Sequence, residues 1–193
     1  KEARQRLRAA RRQASLGSLR KDAQELVRKE DWTAAAEKYR RALAIDSKAA
    51  FARNGLDQAE EKQQLHRQLD HYLSDTTRLF SDDPLNNARK LLAANQQTAT
   101  NEPLLAEKLA TLQQAVTLAV IPVDLLILSD NLTQVTLYRY GRLGSFEQKQ
   151  LSLRPGKYTI TGTRQGYRDV LKVVELKPGI NKQSLTIRTE EQF

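Results

Sequence analysis

The sequence predicts a multidomain α and β protein: an N-terminal all-helical, repeat-like domain of about five helices, followed by a small antiparallel β-sandwich. Three observations predict it. Apolar residues recur at helical spacing as far as Ala119. Beyond Pro122 the apolar period falls to two. From there, turn residues punctuate the chain at intervals of roughly 8–12 residues. The expected domains are a basic lead-in helix (1–15), a helical domain (16–120) and a β domain (121–193).

Residues 1–15, KEARQRLRAARRQAS, read as a helix with arginine on every face and only Leu7, Ala10 and Ala14 as a thin apolar stripe. Ser18 can cap a second helix running to about Lys29, with Leu19, Ala23, Leu26 and Val27 on one face. Glu30-Asp31 ends it. The next helix, Trp32–Ile45, sets Ala35, Tyr39 and Ala42 at spacings of 4 and 3. The small alanines permit close helix approach and Tyr39 fills the groove between helices. With Ala23 and Leu26 in the preceding helix, residues 16–49 resemble one tetratricopeptide repeat. A single repeat cannot bury its face alone, so other helices must cover it.

Those helices follow. Residues 47–80 can form one long helix with Ala52, Leu56, Ala59, Leu65, Leu69 and Leu73 as its stripe, and Asn54-Gly55 as a point where it bends or restarts. Asp82-Asp83-Pro84 is a helix start, with acidic residues favoured by the helix dipole and proline at the first helical position. Helix 84–98 shows Leu85, Ala88, Leu91 and Leu92. Asn101-Glu102-Pro103 repeats the stop-and-start signal before helix 103–119, whose Leu105, Leu109, Leu112, Val116 and Ala119 step 4-3-4-3.

The expected strands are 123–128, 134–140, 146–153, 157–163, 169–176 and 183–188, with Gly141–Ser145 as a hairpin loop and Arg154-Pro155-Gly156 turning one strand into the next as a hairpin. Tyr158, Ile160 and Gly162 face one side, and Lys157, Thr159, Thr161 and Thr163 the other. Leu153-Arg154-Pro155-Gly156-Lys157-Tyr158, with Gly166-Tyr167 ten residues beyond Gly156 and a further Pro178-Gly179 turn, resembles the L-x-P-G-x-Y signature of PEGA domains over about 122–190. Asp130-Asn131-Leu132-Thr133 replaces the segment for which that family is named, so the chain is a divergent relative. The resemblance implies a structural or adhesive module of a bacterial, envelope-associated protein.

Charge and composition bound the function. The net charge of +9 is uneven: +6 over residues 1–30, −1 over 31–119 and +4 over 120–193. No apolar run reaches the roughly 18 residues a membrane helix requires. There is no Met, so a fragment of a longer protein or a processed chain is expected, and there is no Cys. His66 and His71 stand five apart, off a common helix face, and are expected at the surface. No G-x-S-x-G and no phosphate-cradling glycine loop occurs. The expectation is no enzyme, with no catalytic, metal or cofactor-binding residues and no cofactor.

Two functions remain. The first is a protein–protein interaction scaffold in a bacterial envelope assembly, periplasmic and anchored to the inner membrane by a segment upstream of Lys1, or else on the cytoplasmic face. Its candidate contact residues are Lys38, Tyr39 and Arg40 in the helical groove and Arg164, Tyr167 and Arg168 at a β turn. The second is binding of an anionic surface or polymer (lipid head groups, cell-wall polymer, less favourably nucleic acid) through Arg4, Arg6, Arg8, Arg11 and Arg12.

Overall fold

The computed structural model describes residues 2–95 and 102–192. It shows five helices followed by two β-sheets. By internal contacts the chain forms two compact units, Lys1–Ser74 with Ala94–Thr111, and Asp75–Ala93 with Leu112–Phe193.

The first unit contains α1 (Glu2–Arg28), α2 (Trp32–Ile45), α3 (Ala50–Leu73) and the beginning of α5 (Pro103–Val120). Asp31 caps α2, its carboxylate accepting the Ala34 N–H at 3.0 Å. The core is built on alanines: Ala23, Ala35, Ala36, Ala42, Ala52 and Ala59 are fully buried around Trp32 and Tyr39. Short side chains let the helix axes close in, and the one bulky ring between them needs a recess. Gly55 is that recess. A Cβ there would lie 2.3 Å from Tyr39 Cζ. Glu30 sits buried in the α1–α2 turn with φ 56°, and its carboxylate accepts the N–H groups of Leu104 (2.7 Å) and Leu105 (3.0 Å) at the start of α5. A residue 74 positions away in sequence thus caps this helix. Lys62, also buried, binds both carboxylate oxygens of Glu102 at 2.7 and 2.8 Å.

The second unit contains a 3-10 turn (Thr76–Phe80), nearly all of α4 (Asp82–Asn95), the end of α5, and β1 (Val123–Leu128), β2 (Gln134–Leu137), β3 (Gly141–Gly144), β4 (Gln148–Leu153), β5 (Gly156–Thr163), β6 (Val170–Leu176) and β7 (Lys182–Thr186). The strands form a three-stranded sheet, β4-β1-β7, and a four-stranded sheet, β3-β2-β5-β6. Val123, Leu125, Ile127, Leu151 and Leu153 from one sheet share a core with Val135, Leu137, Ile160 and Leu176 from the other, which makes the pair a sandwich. Gly162 permits the close approach there, since a Cβ would meet Thr133 Cγ2 at 2.8 Å. Thr133 Oγ1 accepts the buried Thr189 N–H at 3.1 Å. Asp130 turns the chain into this lock by accepting the N–H groups of Leu132 and Thr133. Partial burial pushes the Asp130 carboxyl up, but those backbone donors outweigh it and hold the group below its ordinary value.

Several expectations are corrected. Residues 2–28 form one helix, and Ser18 lies exposed within it rather than capping a new one, because Gly17 alone does not break a helix. The long helix expected to Phe80 stops at Leu73: Asp75 accepts the Thr77 N–H and hydroxyl, and the chain turns. It does not restart at Gly55 but runs through it as one helix. Gly141–Gly144 is a strand, not a loop. The sandwich is antiparallel-rich as expected, and among the described residues one strand pair, β1 with β7, is parallel. Most consequentially, Arg154-Pro155-Gly156 closes no hairpin, since β4 and β5 lie in different sheets. The expected continuation of the fourth helix to 98 and the Asn101 stop signal lie outside the described residues.

Gly55→Ala tests the recess. In an ordinary helix interior alanine is favoured over glycine by about 1 kcal/mol; here overpacking against Tyr39 should reverse the sign and destabilise by about 1–3 kcal/mol. Urea melts should show this loss, and show it disappear when Gly55→Ala is made on a Tyr39→Leu background.

Candidate functional site

The sheet crossing at Arg154–Gly156 builds a cleft. Leu153 still pairs with Val123 in the three-stranded sheet, and Gly156 already pairs with Leu176 in the four-stranded one. Pro155 is buried between them, and Gly156 takes φ 151°, a backbone setting side chains rarely adopt. Tyr158 holds the corner by donating its hydroxyl to the Arg154 carbonyl at 2.9 Å. Burial raises the pKa of that phenol and the Arg154 guanidinium only partly opposes it, so the hydroxyl keeps its proton at neutral pH. The Arg154 guanidinium in turn donates to Asp82 at 2.6 Å.

This corner points Lys157 and Thr159 away from the core. Beside them runs the β2–β3 hairpin tip, Tyr138-Arg139-Tyr140. The Tyr138 N–H donates to the Thr159 carbonyl, and the Tyr140 N–H closes the tip on Leu137. Arg139 has φ 65°, uncommon for a residue with a side chain. The resulting cleft, about 550 Å³, is lined by Phe80, Tyr138, Arg139, Lys157, Tyr158 and Glu175, among others. It opens onto the outer face of the four-stranded sheet. There the register sets Thr159 opposite Val173, Thr161 opposite Leu171, and Lys157 opposite Glu175. Tyr138 and Leu171 are each 65% exposed and Val173 60%.

The structure places the residues singled out from sequence as follows. Tyr39 is buried against Gly55, Lys38 pairs with Asp22 at 2.8 Å and Arg40 with Glu60 at 2.7 Å. Tyr39 burial also raises its pKa, partly opposed by Arg20. Arg164 stacks over the Tyr167 ring at 4.2 Å, and Arg168 pairs with Glu191 at 3.2 Å. Arg4, Arg6, Arg8, Arg11 and Arg12 are all exposed on α1; Arg6 pairs with Glu2 and Arg12 with Asp46. None of these eleven lines the cleft, whereas Tyr138, Arg139 and Lys157, which do, were not singled out. The signal was present. Val135 and Leu137 alternate inward, so Tyr138 continues on the outer parity, and a tip of two tyrosines around an arginine before Gly141 has no core to enter.

Two other hollows carry less. One of about 650 Å³ beside β6 and β7 is lined by groups already engaged, including Arg168 with Glu191 and Arg188 with Glu190. One of about 240 Å³ in the first unit is lined by Trp32, His66 and Asp70. Among the described residues no three His, Asp or Glu side chains converge as a metal cage requires. No family model matches the chain, and no curated protein matches it in sequence.

His66 departs from the surface position expected of it. It is half-buried and its Nε2 is enclosed with no hydrogen-bond partner. Burial, then the Lys108 ammonium, lower its pKa from 6.5, against weaker opposition from Glu30, Asp70 and Glu102. The unfolded chain therefore binds this proton more readily than the folded one. Stability from a neutral His66 is complete above pH 6.5 and falls as pH drops toward the lowered value. Urea melts between pH 7.5 and 5 (about this range brackets an ordinary imidazole) should show a loss in the wild type that His66→Gln lacks.

Proposed function

We propose that the chain is a non-enzymatic protein–protein interaction scaffold of a bacterial cell-envelope assembly, belonging to a membrane-anchored, periplasmic protein. One observation carries the interaction reading: Tyr138, Leu171 and Val173 are 60–65% exposed on the outer face of a sheet whose Val135, Leu137, Ile160 and Leu176 face the core. A grouped apolar surface of this kind characterises contact sites, whereas scattered single residues do not. The PEGA-like signature at Leu153–Tyr158 supports the envelope setting, and the tetratricopeptide-like spacing of Ala35, Tyr39 and Ala42 supports a scaffold role.

A photo-crosslinker at Val173, with Ser152 on the other sheet as control, should capture one defined protein in cells. The purified pair should then lose about tenfold or more in affinity on Leu171→Glu with Val173→Glu, an order set by interface anchors, while the thermal melt is unchanged. Equal capture at both positions contradicts the reading.

One observation also favours anion binding by α1. Residues 2–15 are exposed throughout, and Arg4, Arg8 and Arg11, spaced four and three apart on one face, carry no ion pair among the described residues. Binding to anionic vesicles should weaken steeply with salt and vanish when the five arginines are changed to glutamine. Retained binding in that variant rejects it.

A further inference from the structure

We propose that the cleft beside the β2–β3 tip takes an extended acidic segment of the partner protein, with a carboxylate held between Arg139 and Lys157 and an apolar or aromatic side chain seated on Phe80 and Tyr138. This rests on the interaction reading and specifies its partner.

Charge is the first argument. In the same unit Arg154, Arg164, Arg168 and Arg188 each lie within ion-pair distance of a carboxylate, and Lys149 and Lys172 donate to backbone carbonyls. Arg139 and Lys157 do neither among the described residues; Arg142, Lys177 and Lys182 likewise do neither, but Arg139 and Lys157 together line one cleft. Among the described residues Arg139 reaches only the Tyr138 ring, 5.7 Å away. A guanidinium is built to bind a carboxylate through two parallel hydrogen bonds.

Shape and lining are the second. At about 550 Å³ the cleft is within the usual size of ligand sites, about 300–1,000 Å³. Its aromatic walls reward a hydrophobic side chain that a phosphate polymer lacks. Glu175, opposite Lys157 in register, would repel a uniformly anionic polymer along its length. It also sets polarity, since the segment's carboxylate must lie toward Arg139 and its neutral part toward Glu175.

The sheet edge argues for docking on the face. Among the described residues strand β6 pairs only with β5, but Lys172 on its inner side, opposite Ile160, donates to the Thr186 carbonyl at 2.7 Å. An inward-pointing charge on an edge strand discourages addition of a further strand.

The test is fluorescence anisotropy of the full chain with an array of labelled heptapeptides containing Asp or Glu beside Phe or Leu, together with their Asn/Gln and Lys counterparts. Acidic–apolar peptides should bind best. Arg139→Gln with Lys157→Gln should weaken them about tenfold, the order expected for charge-assisted hydrogen bonds, and Glu175→Gln should tighten them about two- to fivefold. The gain from Glu175→Gln cannot arise from misfolding. Overturning results are no preference for acidic peptides, an unchanged affinity in the double variant, or polyphosphate binding as well as the peptides do. If the protein captured at Val173 binds the double variant normally, the cleft assignment fails while the scaffold reading stands; if nothing is captured, the scaffold reading fails whatever the peptides do.

Discussion

The crossing at Arg154–Gly156 is the constraint on which the β unit depends. Within two residues the chain leaves a sheet where Leu153 pairs with Val123 and enters one where Gly156 pairs with Leu176. Pro155 fixes the bend and is buried by it, Gly156 accepts the unusual φ, and the Tyr158 hydroxyl ties the corner to the Arg154 carbonyl. A side chain lost anywhere in this corner affects both layers at once. The same bend throws Lys157 and Thr159 outward beside Tyr138 and Arg139, so the device that closes the sandwich also shapes a cleft on it.

The helical unit follows a different economy. Its buried positions are largely alanine, which removes little apolar area from water per residue but lets backbones come close. Close packing makes single recesses decisive, as at Gly55 beneath Tyr39, and concentrates polar demands at helix ends. Glu30 and Lys62 meet those demands from inside, one capping α5 and the other holding Glu102 beside it.

Local features were legible in the sequence and partnerships were not. The α2 helix follows from Ala35, Tyr39 and Ala42 at helical spacing with Asp31 before them, and strand β1 from its apolar run after Pro122. Tyr39 was correctly placed between helices. Gly55 was misread as a weak point because glycine's entropic cost is visible in sequence, while the ring it accommodates lies on another helix. Pro155-Gly156 was misread as a hairpin for a similar reason: turn residues specify a bend, not which sheet receives the next strand. His66 lies on the apolar edge of α3, but the groups that enclose it come from distant segments. The cleft residues escaped notice because each looks like an ordinary exposed side chain until the register of β2, β5 and β6 brings them together.

The most direct measurement is a set of cross-strand nuclear Overhauser contacts around the corner in isotope-labelled protein. The account predicts contacts between Leu153 and Val123 and between Gly156 and Leu176, with the Tyr158 ring near Arg154. Contacts pairing Leu153 with Tyr158 and Ser152 with Thr159 would mark a simple hairpin. They would contradict both the sandwich crossing and the cleft that depends on it.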